Sequence, residues 1–315
     1  MAWRLAIGVI GVTLMSGAAI ARDAKHPDFS GLWTNATLTE FERPDDFKTL
    51  IISDEAASTY EKAHRGKVPE GPKDDTIGAF ESEWWETNVG LTRIDGRARS
   101  SIVTFPEDGQ LPTNAAAKAA RKKQNAKRKA GFDNPENLTT SERCLSAGAA
   151  GPPMIGSGFN DNYKIVQTSD QLAIYAEQGF AVRIIRLGDA PHPPFNQRFR
   201  MGDSVGHWEG ATLVIETTNF VADEVDSPDG DPKADARVVE RMTRLSSGEI
   251  HYAFQVEDPA SFTQAWRGEQ LLHPTKGPIY EYACHEGNYS LPNMLQASRA
   301  ADGQATAAGT SAVAK

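Results

Sequence analysis

Cysteine is nearly absent: Cys144 and Cys284 are the only two. Zinc ribbons, iron–sulfur sites and disulfide-dense scaffolds need more, so those classes are excluded. Also missing are an H-E-x-x-H pair, a Walker A loop and a G-x-G-x-x-G fingerprint, and nothing points to a nucleotide or a flavin. The seven histidines are scattered, and His285-Glu286 has no second histidine at helical spacing. Neither a metal nor any other cofactor is expected. Basic residues are outnumbered, 33 against 42 acidic, giving a net charge of −9, which excludes nucleic acid as the general partner. Beyond the first twenty or so residues no run is long and apolar enough to cross a bilayer.

That first run reads as a secretory signal. Met1-Ala-Trp-Arg4 is short and positive, residues 5–20 carry no charge, and Ala19-Ile-Ala21 fits the small-x-small rule of signal peptidase. Cleavage after Ala21 is expected, against the alternative of a retained anchor. The protein should then be periplasmic or secreted, without stable membrane insertion. In an oxidising compartment Cys144 and Cys284 invite one disulfide. The alternative is a free, nucleophilic Cys284 beside His285.

Residues 22–140 are mixed. Pro27-Asp-Phe-Ser-Gly-Leu-Trp-Thr34 reads as a first strand, residues 54–64 as a helix with Asp54 and Glu55 loading its first turn, and residues 99–105 as a strand. Residues 115–130 hold seven basic side chains between Lys118 and Lys129. The segment reads as a solvated helix or connector, or else as a contact for anionic lipid or polysaccharide, although it lacks the apolar stripe of an interfacial helix.

From Asn162 the pattern becomes short strands with turn signals: 163–167, 172–177, 181–187, 204–208, 212–220, 237–245, 250–257, 262–272 and 278–284. A long acidic loop occupies 222–235. No helical crossover intervenes, so antiparallel pairing is expected. A meander of this length removes its edges by closing. The fold class is therefore mainly β: an antiparallel meander closing into a lipocalin-like barrel over 141–299, with an α-containing N-terminal elaboration. Residues 300–315 have little to bury and are expected to be disordered.

The strands carry charge on both faces. Glu240 and Arg244 share a face with Val238 and Met242, opposite Val239 and Arg241, while Glu216 alternates with Ile215 and Thr217. Either the lumen holds paired charges that receive a polar ligand, with Glu216 and Arg241 as candidates, or these are cross-strand ion pairs outside.

The densest chemistry is Glu281-Tyr-Ala-Cys-His-Glu-Gly-Asn-Tyr289. His285 or Glu286 suits a general base there, and Tyr289 or Tyr282 an acid or oxyanion donor. The bland alternative is that His285, Glu286 and Asn288 cap backbone groups. In Gly202-Asp-Ser-Val-Gly-His-Trp-Glu-Gly210, Asp203 and His207 share a face, so Asp203 can orient that imidazole. A disulfide would bring the Pro152–Gly158 loop beside His285, making Asn160, Asn162 and Tyr163 substrate contacts together with Asn288.

Cys144 with its following Pro-rich loop, Asn162-Tyr-Lys-Ile-Val-Gln167, Trp208-Glu-Gly-Ala-Thr-Leu-Val214 and Glu281–Tyr289 resemble a large group of exported bacterial proteins, over about residues 140–299. The group brings no activity with it. Gly31-Leu-Trp33 ahead of a meander resembles lipocalins in the broad sense, which implies architecture only. The expectation is an exported, cofactor-independent lyase, isomerase or hydrolase acting on a small organic substrate. The alternative is a carrier of a small amphipathic or aromatic ligand, and a third reading is an envelope interaction protein using residues 118–129. Nothing in the sequence sets an oligomeric state.

Overall fold

A computed structural model describes residues 26–67, 89–130, 134–138, 143–144, 150–156, 158–179, 182–221 and 234–313. The expected signal sequence, and most of the expected acidic loop, lie outside these residues. Twelve strands are described: β1 Gly31–Thr34, β2 Arg93–Ile94, β3 Arg97–Ala98, β4 Val103–Phe105, β5 Asn162–Gln167, β6 Gln171–Ala176, β7 Val182–Leu187, β8 Asp203–Glu209, β9 Thr212–Thr218, β10 Arg237–Arg244, β11 Ile250–Glu257 and β12 Trp266–Pro274. The helices are α1 Asp54–His64, α2 Ala115–Ala130, α3 Cys284–Gly287 and α4 Ser290–Val313.

β1 and β5 through β12 close into a nine-strand barrel. β12 divides its free edge between two partners: its first half takes β4 at Arg267 and Gly268, and its end takes β1 at His273 and Pro274. Hairpin chemistry sets the register. Gly210, at φ +63°, supplies the left-handed corner between β8 and β9 that other residues resist. Period-2 alternation then sends Leu213, Ile215 and Thr217 inward from β9, and Val238, Glu240 and Met242 from β10. Facing aromatics fill the centre. Gly268 is required there, because a Cβ would stand 2.3 Å from the Phe254 ring.

The elaboration packs on this frame. Ser53 caps α1 by accepting the Ala56 N–H at 3.2 Å. Ala57, Leu91 and Ala98 form a small satellite core, while Ile102 and Val103 join the main one. The basic segment is helical: Asn114 caps α2 at Ala117 and holds the Ala260 carbonyl, and Lys118, Arg121, Lys122 and Lys123 are exposed.

Two expectations are corrected. The meander is not wholly antiparallel, because β7 and β8 run parallel, joined by an irregular loop long enough to return the chain without a helix. Residues 278–284 form no strand. β1 already takes that edge of β12, and the Tyr280 N–H is satisfied by the Glu177 carboxylate at 3.1 Å instead of a ladder. α4 runs as helix through Val313. Its alanines favour helix without any core to bury, and Asn288 caps it through the Leu291 N–H at 3.1 Å. Among the described residues no helix is long and apolar enough to cross a membrane.

Candidate functional site

A buried polar network centred on Arg183 lies in the barrel interior. Arg183 alternates with Ile185 on the inward face of β7, and both are buried. Its guanidinium crosses the lumen to three strands. It donates to Ser204 Oγ on β8 at 3.0 Å, to Thr217 Oγ1 on β9 at 2.9 Å, and to both carboxylate oxygens of Glu240 on β10, at 2.9 Å for Oε1. Tyr252, on β11, donates its hydroxyl to Glu240 Oε1 at 2.7 Å. Arg183 is 2% exposed, and Glu240 and Tyr252 are fully buried.

Burial lowers the affinity of Arg183 for its proton, but the charge and hydrogen bonds of Glu240 outweigh it and raise the pKa. Burial, then the Glu240 charge, pushes the Tyr252 phenol well above its ordinary 10.0, against the opposing pull of Arg183. Tyr252 is thus held as a neutral proton donor aimed at a carboxylate.

The segment leading into β5 closes this network off. Ala150, Pro152, Pro153 and Met154 are buried. Gly151, at φ +73°, is needed for the fold-back, since a Cβ would meet the Pro153 carbonyl carbon at 2.5 Å. The Met154 N–H donates to Tyr252 Oη at 2.8 Å, and Gln270 Nε2 donates to the Met154 carbonyl at 2.5 Å. Upstream, Cys144 is disulfide-bonded to Cys284.

A second network lies outside, across β7 to β10. Asp203 Oδ2 is 2.7 Å from both Arg186 and His192 Nδ1, His192 Nε2 is 3.5 Å from Glu216, and Glu216 pairs with Arg237. Asn219 holds the loop bearing His192 through the carbonyls of Pro193, Pro194 and Gln197.

The expected site residues do not converge. Asp203 orients His192, not His207. Both Asp203 and His207 face outward, but four residues along one strand separates them by roughly 13 Å, and His207 instead meets Glu209 at 3.4 Å. Glu216 and Arg241 are not lumenal. The inward positions of β9 are odd-numbered and those of β10 even-numbered, which leaves Glu216 to Arg237 and Arg241 to Glu209 on the outer face.

His285, Glu286 and Tyr289 are exposed around the single turn of α3, and Tyr282 is half-buried. Asn288 caps α4 and donates to Cys144 Sγ at 3.3 Å. Asn162 holds buried Glu177 at 2.7 Å, Tyr163 is buried with its hydroxyl accepting from Asn35 at 3.0 Å, and Asn160 turns the chain at φ +52°. The Pro-rich segment thus reaches the lumen through Met154, while His285 and Glu286, next to the disulfide, are exposed.

Arg183, Tyr252, Gln270 and Met154 were missed from sequence. The available signal was a lone arginine on the apolar face of one strand and a lone glutamate, Glu240, on that of another. Gly202-Asp-Ser-Val-Gly206 also has the spacing of a nucleophile elbow. Ser204 sits within a strand, however, bonded to Arg183 and 2.9 Å from Thr217 Oγ1, which is a positioning role. Among the described residues no three His, Cys, Asp or Glu side chains gather as metal ligands. Protein families, curated proteins and solved structures all yield no match to this chain, so the reading rests on its own geometry.

Proposed function

We propose that this chain is an exported enzyme that performs acid–base chemistry on a small organic substrate inside the barrel. Glu240 is the base, Tyr252 the acid, and Arg183 the group that fixes the carboxylate. The observation that carries this reading is the buried Arg183–Glu240–Tyr252 network. An apolar trio of the same volume would hold a barrel together at no desolvation cost, whereas burying an ion pair is often neutral or worse for stability. Buried titratable groups hydrogen-bonded to one another are instead what catalysis uses. A phenol donating to a carboxylate can hand a proton to one atom of a substrate while the carboxylate takes one from another, which suits an isomerase or lyase. The disulfide fits export.

Incubation of the protein with extract of its host, followed by untargeted mass spectrometry, tests the reading. A metabolite should be consumed catalytically by the wild type and at least a hundredfold more slowly by Glu240→Gln and Tyr252→Phe. Equal turnover by folded Glu240→Gln protein would remove the lumen from catalysis. A metabolite retained unchanged, one per chain, would make the protein a carrier.

A further inference from the structure

We infer that Met154 occupies the ligand position of the lumen, and that its ligand is a small carbonyl compound with a hydroxyl or acylated amine on the α-carbon and an apolar substituent. The inference rests on the lumenal reading above and adds the class of molecule it admits.

The segment 150–156 is not tied to the barrel by a sheet ladder at this point. Ala150 and Met154 pack in the main core, and among the described residues the side-chain hydrogen bonds that hold the segment are two, both made by Met154. Tyr252 Oη accepts the Met154 N–H at 2.8 Å, and Gln270 Nε2 donates to the Met154 carbonyl at 2.5 Å. Tyr252 is fully buried and Gln270 is 1% exposed. If the segment simply withdrew, a phenol oxygen and an amide N–H would lose their partners in the buried interior, which is unfavourable. Withdrawal is therefore favoured only when another molecule presents the same donor and acceptor.

Those two groups flank one α-carbon in the unit N–Cα–C=O, and the methionine side chain fills the apolar space beside them, fully buried. An α-hydroxy or α-acylamino carbonyl compound reproduces that pattern. Gln270 would then donate to its carbonyl oxygen, and the Tyr252–Glu240 pair would lie beside its α-substituent. The α-proton of such a compound is the one that acid–base isomerases and lyases remove, which agrees with the groups present. A segment that competes for the site lowers apparent affinity by the fraction of time it is withdrawn.

The probe is N-acetylmethioninamide, which carries the same N–H, C=O and side chain as Met154. Amide hydrogen exchange at Met154, Ile155 and Gly156 is followed with and without it. Saturating probe should speed exchange at these three amides at least tenfold, and Met154→Gly protein should bind the probe about tenfold more tightly than the wild type. Gln270→Leu should abolish the probe's effect. Saturable binding with unchanged exchange at 154–156, or no binding by either wild-type or Met154→Gly protein, overturns the inference. The wild-type exchange measurement requires no variant to fold. Unaltered turnover by Glu240→Gln would end the catalytic reading while leaving this binding result standing, and the reverse also holds.

Discussion

Arg183 and Glu240 each need the other, and the need is unequal to the stability they confer together. With both present the guanidinium has three acceptor residues and the carboxylate two donor residues. Removing Arg183 alone leaves a carboxylate buried among aliphatic and aromatic side chains with only the Tyr252 hydroxyl for company. Arg183→Met should therefore cost about 3–5 kcal/mol, read as a fall in urea midpoint. The double variant Arg183→Met/Glu240→Leu should regain most of that loss, because an apolar core replaces the charges. Activity should be absent from both. A double variant no more stable than the single one would show that the pair contributes stability of its own, and the argument that it is kept for chemistry would fail.

At the level of elements, the N-terminal elaboration is fastened by carboxylates. Burial pushes Glu269 up, but the hydrogen bonds from His251 and Arg99 and the Arg99 charge outweigh it and hold its pKa below 4.5. Glu61 behaves likewise: burial raises it, and Arg93, the Leu91 N–H and Arg65 together bring it below 4.5. A group depressed in the folded state contributes stability above its unfolded value and loses it as pH falls through the folded one. The fastening should thus be intact above about pH 4.5 and fail progressively below it. Limited proteolysis by pepsin should cut within residues 89–105 in that window while the barrel keeps its far-UV signal, and Glu269→Gln should shift the onset upward. Simultaneous loss of barrel and elaboration would count against a separate fastening.

Such elements differ in how visible they are in sequence. α1 was legible to its ends because Ser53, Asp54 and Glu55 are local signals. The barrel strands were legible because alternation is local too. The inward side of β9 and β10 was not, since Glu216, Glu240 and Arg241 leave charge on either face, and only Arg183 across the lumen decides that Glu240 goes in. The helix of α4 is not legible, because an alanine-rich stretch with nothing to bury carries no amphipathic signal. The expected strand at 278–284 failed because β1, far away in sequence, had already taken its edge.

For the whole molecule the β7–β8 contact is the weak line between barrel strands that follow one another in the chain; only the β1–β12 closure, with two pairs, is shorter. The β7–β8 contact is parallel and pairs only three residues, Ile185–Leu187 with Ser204–Gly206, against eight pairs between β10 and β11. Parallel ladders are also slightly less stable per residue. The seam is clasped from both sides. Inside, Arg183 of β7 reaches Ser204 of β8. Outside, Arg186 of β7 shares Asp203 of β8 with His192, while Arg186 also holds the Pro191 carbonyl at 3.1 Å. Asp203→Ala removes the outer clasp and leaves the inner one. Its partners are partly exposed, so the loss should be modest, about 1 kcal/mol, or roughly fivefold in local opening. Amide exchange should speed by that factor at Leu187 and Gly188, whose N–H groups bond Asp170 and Gly206, with no change at β10 or β11. Turnover should survive, because the lumenal groups keep their bonds. If Asp203→Ala instead abolished turnover with the seam unchanged, His192 would be the reacting group, and the chemistry would lie on the outer wall of the barrel.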